Sequence, residues 1–233
     1  MKVCWISAGV SSFVAGWLVR GTVDEFIYID IADQHPDSMR FIHDCEKALG
    51  KPIKILKSRQ YRCVEDCIRT FGTFRNAHNH FYPCTKWLKK RVRKECEQEH
   101  DGQQITYVWG MDLNEKHRAD RLVEGMPEFE HEFPLIDRKL TKSEAHGILA
   151  SLGIKRPVMY ELGYSNNNCI GCVRGGDWIL EQDSSRLSRS VRLTGEAGTR
   201  HRLYHPARQS RTNLAGRARP TQRSNGGGDY GRV

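Results

Sequence analysis

Two periods of apolar and polar positions alternate along the first three quarters of the chain. Short apolar runs, Val3-Cys4-Trp5-Ile6 and Phe26-Ile27-Tyr28-Ile29, read as buried strands. Between them lies a helical stretch that opens after Ser7-Ala8-Gly9-Val10-Ser11-Ser12. The same reading predicts strands over 2–7, 25–30, 52–57 and 105–110, and helices over 11–20, 37–49, 84–99, 114–124 and 141–152. Thr141 to Glu144 (TKSE) has the form of a capping box, and Gly153 stands where a helix C-cap belongs. Strands alternating with helices imply an α/β fold, a parallel sheet flanked by helices with ligands at the carboxyl ends of the strands. The opening loop, Asp30 and Gly110 all fall at such ends. No internal repeat is evident.

Several clusters at those ends bear chemistry, each with a plainer structural alternative. Small residues between a strand and a helix let backbone N–H groups cradle an anion, and they also serve simply to close a tight turn. Asp30, followed by Asp33, His35 and Asp37, suits a ribose hydroxyl or an adenine amine; the alternative is an acidic loop that starts the helix over 37–49. Arg118 and Arg121 lie three apart on a predicted helix with Glu115 three before, so they can share an anion-binding face or form a solvated salt-bridged one. Lys86, Lys89, Lys90, Arg91, Arg93 and Lys94 form a basic helical face. Cys169-Ile170-Gly171-Cys172 is a Cys-x-x-Cys, with Cys84 far upstream. These thiols suit a metal or cluster, a redox dithiol, or a tight turn of unligated cysteines. Cys63 and Cys67 are four apart on a further candidate helix; Cys4, Cys45 and Cys96 read as packing residues. His78 and His80 read as a surface loop.

Composition narrows the class. The chain has 233 residues, no 18-residue apolar run and no signal-peptide pattern, so no membrane span is expected and a cytoplasmic location is. Eight Cys in that setting point to reduced thiols, metal or catalysis before disulfides. Most of the net charge of +9 sits in residues 177–233, which hold 11 Arg and no Lys against 5 acids. That segment lacks Phe, Met and Cys and keeps no periodicity, which reads as a disordered basic tail open to RNA or DNA.

Five segments in order resemble the adenine-nucleotide alpha-hydrolase (PP-loop) superfamily, in its phosphoadenosine phosphosulfate (PAPS) reductase-like branch. They are the opening loop, DIADQHPDS (Asp30 to Ser38), PCTKWLK (Pro83 to Lys89), GMDLNEKHRADR (Gly110 to Arg121) and NNNCIGCVRGG (Asn166 to Gly176). The resemblance implies a nucleotide-binding domain over 1–176. It places ATP or a PAPS-type nucleotide on Ser7, Ala8, Gly9, Ser11 and Ser12, with Asp30, Gly110 and Arg121, and gives catalytic roles to Arg118 and Lys86. It also implies metal ligation by Cys84, Cys169 and Cys172 around a four-iron–four-sulfur cluster or zinc. Magnesium, a thioredoxin-like reductant and a homodimer belong to the same expectation. The common loop form is Ser-Gly-Gly-x-Asp-Ser, so Ser11 stands at the Asp position and a carboxylate that helps organise magnesium in some relatives is absent. The C-terminal Glu-Cys-Gly nucleophile of PAPS reductases proper is absent too.

The expected activity is chemistry at a nucleotide phosphate, as thiol-dependent sulfonucleotide reduction or as ATP-dependent adenylation and sulfur transfer. The rival is a non-catalytic nucleotide- or nucleic-acid-binding protein of the same fold. The Arg-rich tail has a further explanation. Back-translating Asp177 to Ser185 and reading one base later permits Ile-Gly-Tyr-Trp-Asn-Lys-Ile-Arg, the way the family continues after its last motif. On that reading residues 177–233 are an out-of-frame remnant.

Overall fold

The computed structural model describes residues 1–73, 82–170 and 172. His78, His80, part of the last motif (171 and 173–176) and the whole Arg-rich segment, with its frameshift and domain-boundary readings, lie outside the described residues. A five-stranded sheet has the order β3-β2-β1-β4-β5. Its strands are β1 (Lys2–Ile6), β2 (Glu25–Ile29), β3 (Ile53–Leu56), β4 (Thr106–Val108) and β5 (Glu130–Glu132). Every pairing is parallel.

Alternation along the strands builds two apolar faces. Cys4, Ile6, Phe26, Tyr28 and Val108 point to one face, where α1 (Val10–Leu18), α2 (Asp37–Leu49), α7 (Pro134–Asp137) and α8 (Lys142–Ser151) cover them. Val3, Ile27 and Tyr107 point to the other, against Cys96 of α5 (Arg91–Glu99). Phe41, Ile42, Cys45 and Leu49 recur at helical spacing along α2, which is why that helix buries one stripe. Helix α1 lies so close to the sheet that a Cβ on Gly16 would come within 2.9 Å of Cys4 Sγ.

The remaining elements depart in part from the sequence expectation. The helix expected over 84–99 opens as one turn, α4 (Pro83–Thr85), runs through a π-helical segment Lys86–Lys90 and continues as α5. The helix over 114–124 starts as a 3-10 turn, Leu113–Glu115, before α6 (Lys116–Glu124). Cys63 and Cys67 sit at the N-cap and inside α3 (Val64–Phe71). Strand β5 has the sequence Glu-His-Glu, with no apolar run to announce it. Short α9 (Val158–Glu161) was likewise unannounced. The capping box of α8 forms as expected, and Gly153 adopts φ 69° just past the helix end.

One polar clamp ties the beginning of α2 to the chain before α9. Asp37 accepts from Arg40 through both oxygens, at 2.7 and 2.8 Å, and from the Val158 N–H at 2.8 Å. Arg40 also donates to the Lys155 and Arg156 carbonyls. The Arg40 hydrogen bond is the main cause that holds the Asp37 carboxyl down at about 2. With the folded value below the unfolded one, the clamp stabilises the protein above the unfolded value and is lost as pH falls toward 2. Asp37→Asn is expected to cost about 1–2 kcal/mol at neutral pH, after allowance for solvent screening. Urea unfolding followed across pH should show the difference from the parent closing between about pH 4 and pH 2.

Candidate functional site

The strand order reverses direction at β1, so β1 and β4 part at their carboxyl ends and leave the crevice where open α/β sheets bind ligands. The loop Ser7 to Ser12 forms one wall. Ser12 Oγ organises it: it accepts from the Ser7 N–H at 3.0 Å, donates to the Gly9 carbonyl at 2.9 Å and lies 3.0 Å from Ser7 Oγ. Ala8 is fully buried at φ 55°, a left-handed conformation that costs an L-residue about 1–2 kcal/mol. Gly9, in extended backbone, is the N-cap of α1 and has no side chain to cap it, and no acid occupies the first turn. The positive end of the helix dipole therefore faces the crevice without a built-in counter-charge.

Three later parts of the chain close around this loop. Gly110, just beyond β4, meets it backbone to backbone: a Cβ there would lie 2.3 Å from Ser12 Cα and 2.5 Å from Ser12 N. The Tyr160 hydroxyl accepts from the Val10 N–H at 3.3 Å. Asn167, nine-tenths buried, donates through Nδ2 to the Ala8 carbonyl at 2.8 Å and to Ser38 Oγ at 3.0 Å. Because the Ala8 carbonyl can only accept, this contact fixes which end of the Asn167 amide faces the loop.

The charged candidates are arranged differently. Asp30 follows β2 and pairs with Lys57 at 2.9 Å. Asp33 turns away from the loop and accepts from the Val64 N–H at 2.7 Å, capping α3 from outside the helix. Arg118 is exposed and ion-paired to Glu115, while Arg121 donates to the His117 carbonyl of its own helix. Neither arginine makes a hydrogen bond or ion pair with the loop among the described residues. Lys86 begins the π-helical segment, with its ammonium 5.2 Å from the Trp87 ring centre. Lys142 donates to Asn166 Oδ1 at 2.7 Å and to the Ser165 carbonyl; burial pulls its pKa down, against the pull of Asp112 and Glu115.

The cysteines gather in a second neighbourhood. Cys84, Cys169 and Cys67 share an apolar cluster with Ile31 and Leu88. The Cys172 N–H donates to the Cys169 carbonyl at 3.2 Å, and the Ile170 N–H donates to the Asp33 carbonyl at 2.8 Å, so the Cys-x-x-Cys turns tightly beside Asp33. Burial pushes the Cys169 thiol up to about 11, against the lowering effect of nearby Lys89. Cys67 is raised to about 11, again mainly by burial, with Cys84 adding to it. Such thiols are protonated at neutral pH and are poor nucleophiles as they stand. Among the described residues no three His, Cys, Asp or Glu side chains are set to hold a metal. Cys84 and Cys169 are neighbours, as the sequence led one to expect, with Cys172 hydrogen-bonded to Cys169.

No protein-family model matches the chain, and no curated protein sequence does. Among solved structures, the phosphate complex of phosphoadenylyl-sulfate (PAPS) reductase from Candida auris matches with a TM-score of 0.52 and 13% identity, covering 73% of this chain and 82% of that one. The fold is PAPS reductase-like.

Within the PAPS reductase-like fold the loop differs from its common form at two places with opposite effects. Ala8 stands where that form has Gly, yet it keeps the left-handed backbone a glycine would take. Ser11 stands at the Asp position, which leaves the crevice mouth without that negative charge. The sequence reading placed Gly110 and the loop together at the strand ends, and the structure brings them into contact. It did not single out Tyr160, Asn167 or Ser38. Asn167 and Ser38 lie inside the matching segments, but only their buried hydrogen bonds to the loop and to each other set them apart.

Proposed function

We propose that this chain is an adenine-nucleotide-binding enzyme of the PAPS reductase-like kind, with the nucleotide phosphates on the Ser7 to Ser12 backbone. The observation that carries this reading is the α1 N-terminus: its N-cap Gly9 has no side chain, its first turn holds no acid, and Gly110, Tyr160 and Asn167 enclose it at the crevice. Oriented N–H groups at a helix start favour phosphate, and the same groups would stabilise charge that develops on it during bond cleavage. Asp30 would serve the nucleoside side, and Arg121, Arg118 and Lys86 would supply cationic help on the phosphate side once drawn from their present partners. Of the two reactions the site suits, attack at the nucleotide phosphate with loss of pyrophosphate is favoured over thiol-dependent reduction. The raised thiols of Cys169 and Cys67 weigh against the latter.

A non-catalytic nucleotide-binding role is the second reading, and Ser11 at the Asp position favours it, because magnesium organisation loses a ligand while the backbone cradle stays. Calorimetric titration with ATP, PAPS and inorganic pyrophosphate tests both. Binding of a nucleotide, with pyrophosphate competing for the same site, is expected. Release of pyrophosphate from ATP in the presence of a substrate would select the enzyme, and binding without turnover would select the binder. Failure of all three compounds to bind would sink the nucleotide reading altogether.

A further inference from the structure

Tyr160 does more at this loop than its sequence position suggests. It rides on α9, whose start is fixed by buried Pro157 and by the Val158 N–H bond to Asp37. Its ring meets the His146 ring of α8 edge-on, with centres 4.8 Å apart. The phenol oxygen accepts a hydrogen bond from the Val10 N–H at 3.3 Å, has the Asn167 backbone amide nearby, and lies 3.5 Å from where a Cβ on Gly9 would sit. A hydroxyl that accepts from an amide keeps its own hydrogen to donate. Among the described residues no hydrogen bond donated by this hydroxyl is present. A second open group stands beside it: Asn167 Oδ1 is buried and has no hydrogen-bond partner among the described residues, although the Nδ2 of the same amide is doubly engaged. Buried polar groups without partners are rare, and this one stands beside the loop next to a hydroxyl with a hydrogen left to donate.

We infer that Tyr160 is a ligand-binding residue of this loop, whose phenolic O–H donates to a phosphate oxygen seated on the Ser7 to Ser12 backbone. The inference rests on the nucleotide reading above and adds to it a neutral donor from the C-terminal part of the domain. A phenol can play this part only while protonated. Burial raises the Tyr160 pKa, while the two amides and the positive charge of Arg156 lower it; burial wins. The other groups facing this corner are His146, kept toward its neutral form mainly by burial, and Lys142 and Arg156, whose charges act on His146 in the same direction. None of them hydrogen-bonds to the phenol oxygen.

The alternative is that Tyr160 merely plugs the Val10 N–H, taking the place of the anion. The two roles predict opposite signs. Tyr160→Phe keeps the ring against His146 and removes only the hydroxyl. If the hydroxyl donates to the ligand, the affinity for inorganic pyrophosphate should fall roughly 10-fold, as for loss of a hydrogen bond to a charged group. If it is a plug, the freed Val10 N–H should leave affinity equal or higher, and the inference is overturned. Should Tyr160→Phe not fold, a fluorinated tyrosine at position 160, with a phenol that ionises near neutral pH, keeps the question open to decision. Pyrophosphate binding should then weaken as pH rises through that ionisation, whereas a plug that only accepts from amides would show no such loss. Pyrophosphate is titrated into the wild-type chain first. No binding there refutes the nucleotide reading, while binding that Tyr160→Phe leaves intact refutes only the role of Tyr160.

Discussion

Gly110→Ala should be the most damaging one-carbon change in the crevice. Its added Cβ would lie 2.3 Å from Ser12 Cα, 2.5 Å from Ser12 N and 2.9 Å from Ser11 C, all backbone atoms that cannot swing aside as a side-chain tip can. Either β4 withdraws from β1 or the first turn of α1 is pushed off its place, and both disturb the Ser12 hydroxyl that holds the loop. Overpacking in a tight interior costs about 1–3 kcal/mol and more where the obstacle is rigid, so about 3 kcal/mol is expected here. For a chain of this size that lowers the thermal midpoint by roughly 6–12 °C. Calorimetric melting reads the stability, and pyrophosphate titration of the surviving folded protein should show binding reduced at least about 10-fold. A midpoint within a degree or two of the parent would mean that the β4 end and the loop are not in contact.

Asn167→Asp should come next in size. The substitution preserves shape but replaces the Nδ2 donor with oxygen, so an acceptor faces the Ala8 carbonyl, and a charge is placed where the side chain is nine-tenths buried. Losing a buried bond and stranding a carboxylate together cost about 3 kcal/mol at neutral pH. The sign with pH is decisive. Burial and the carbonyl would raise the folded pKa of the new Asp above its unfolded value of about 3.9. The cost is therefore present at neutral pH and fades as pH falls below about 4, where a protonated carboxyl can again donate to Ala8. Urea midpoints of the variant and the parent should converge toward acid pH. A gap that stays constant with pH would mean that Asn167 acts through its shape alone.

Much of the frame was written in the chain. The apolar runs that became β1, β2 and β3, the stripe Phe41-Ile42-Cys45-Leu49 and the TKSE capping box are local patterns, and local patterns survive into the fold. Strand β5 was hidden because an edge strand of three residues needs no apolar run, only a neighbour whose hydrogen-bonding edge is open. The site was legible by half. Loop and Gly110 could be placed at the strand ends by topology, but nothing in Tyr160 or Asn167 announces a partner some 150 residues away; the approach of distant backbone decides it. Arg118 shows the opposite difficulty. The spacing that lets it share a face with Glu115 also lets the two pair, and in the structure they do.

The contacts that shape the loop also impose an order of assembly. Ser7 to Ser12 leave the ribosome well before the groups that fix them, Gly110, Tyr160 and Asn167. At about 5–20 residues per second, roughly 10–30 s separate the synthesis of Ser12 from that of Asn167. During that interval β1, β2 and β3 with α1 and α2 can already dock as neighbours, since their pairings are close in sequence. The strained turn at Ala8 cannot yet be held, because its carbonyl lacks the amide that secures it. A nascent chain stopped after β4 would thus carry a recognisable sheet and an unformed loop, and on the proposed reading anion binding would wait for Asn167.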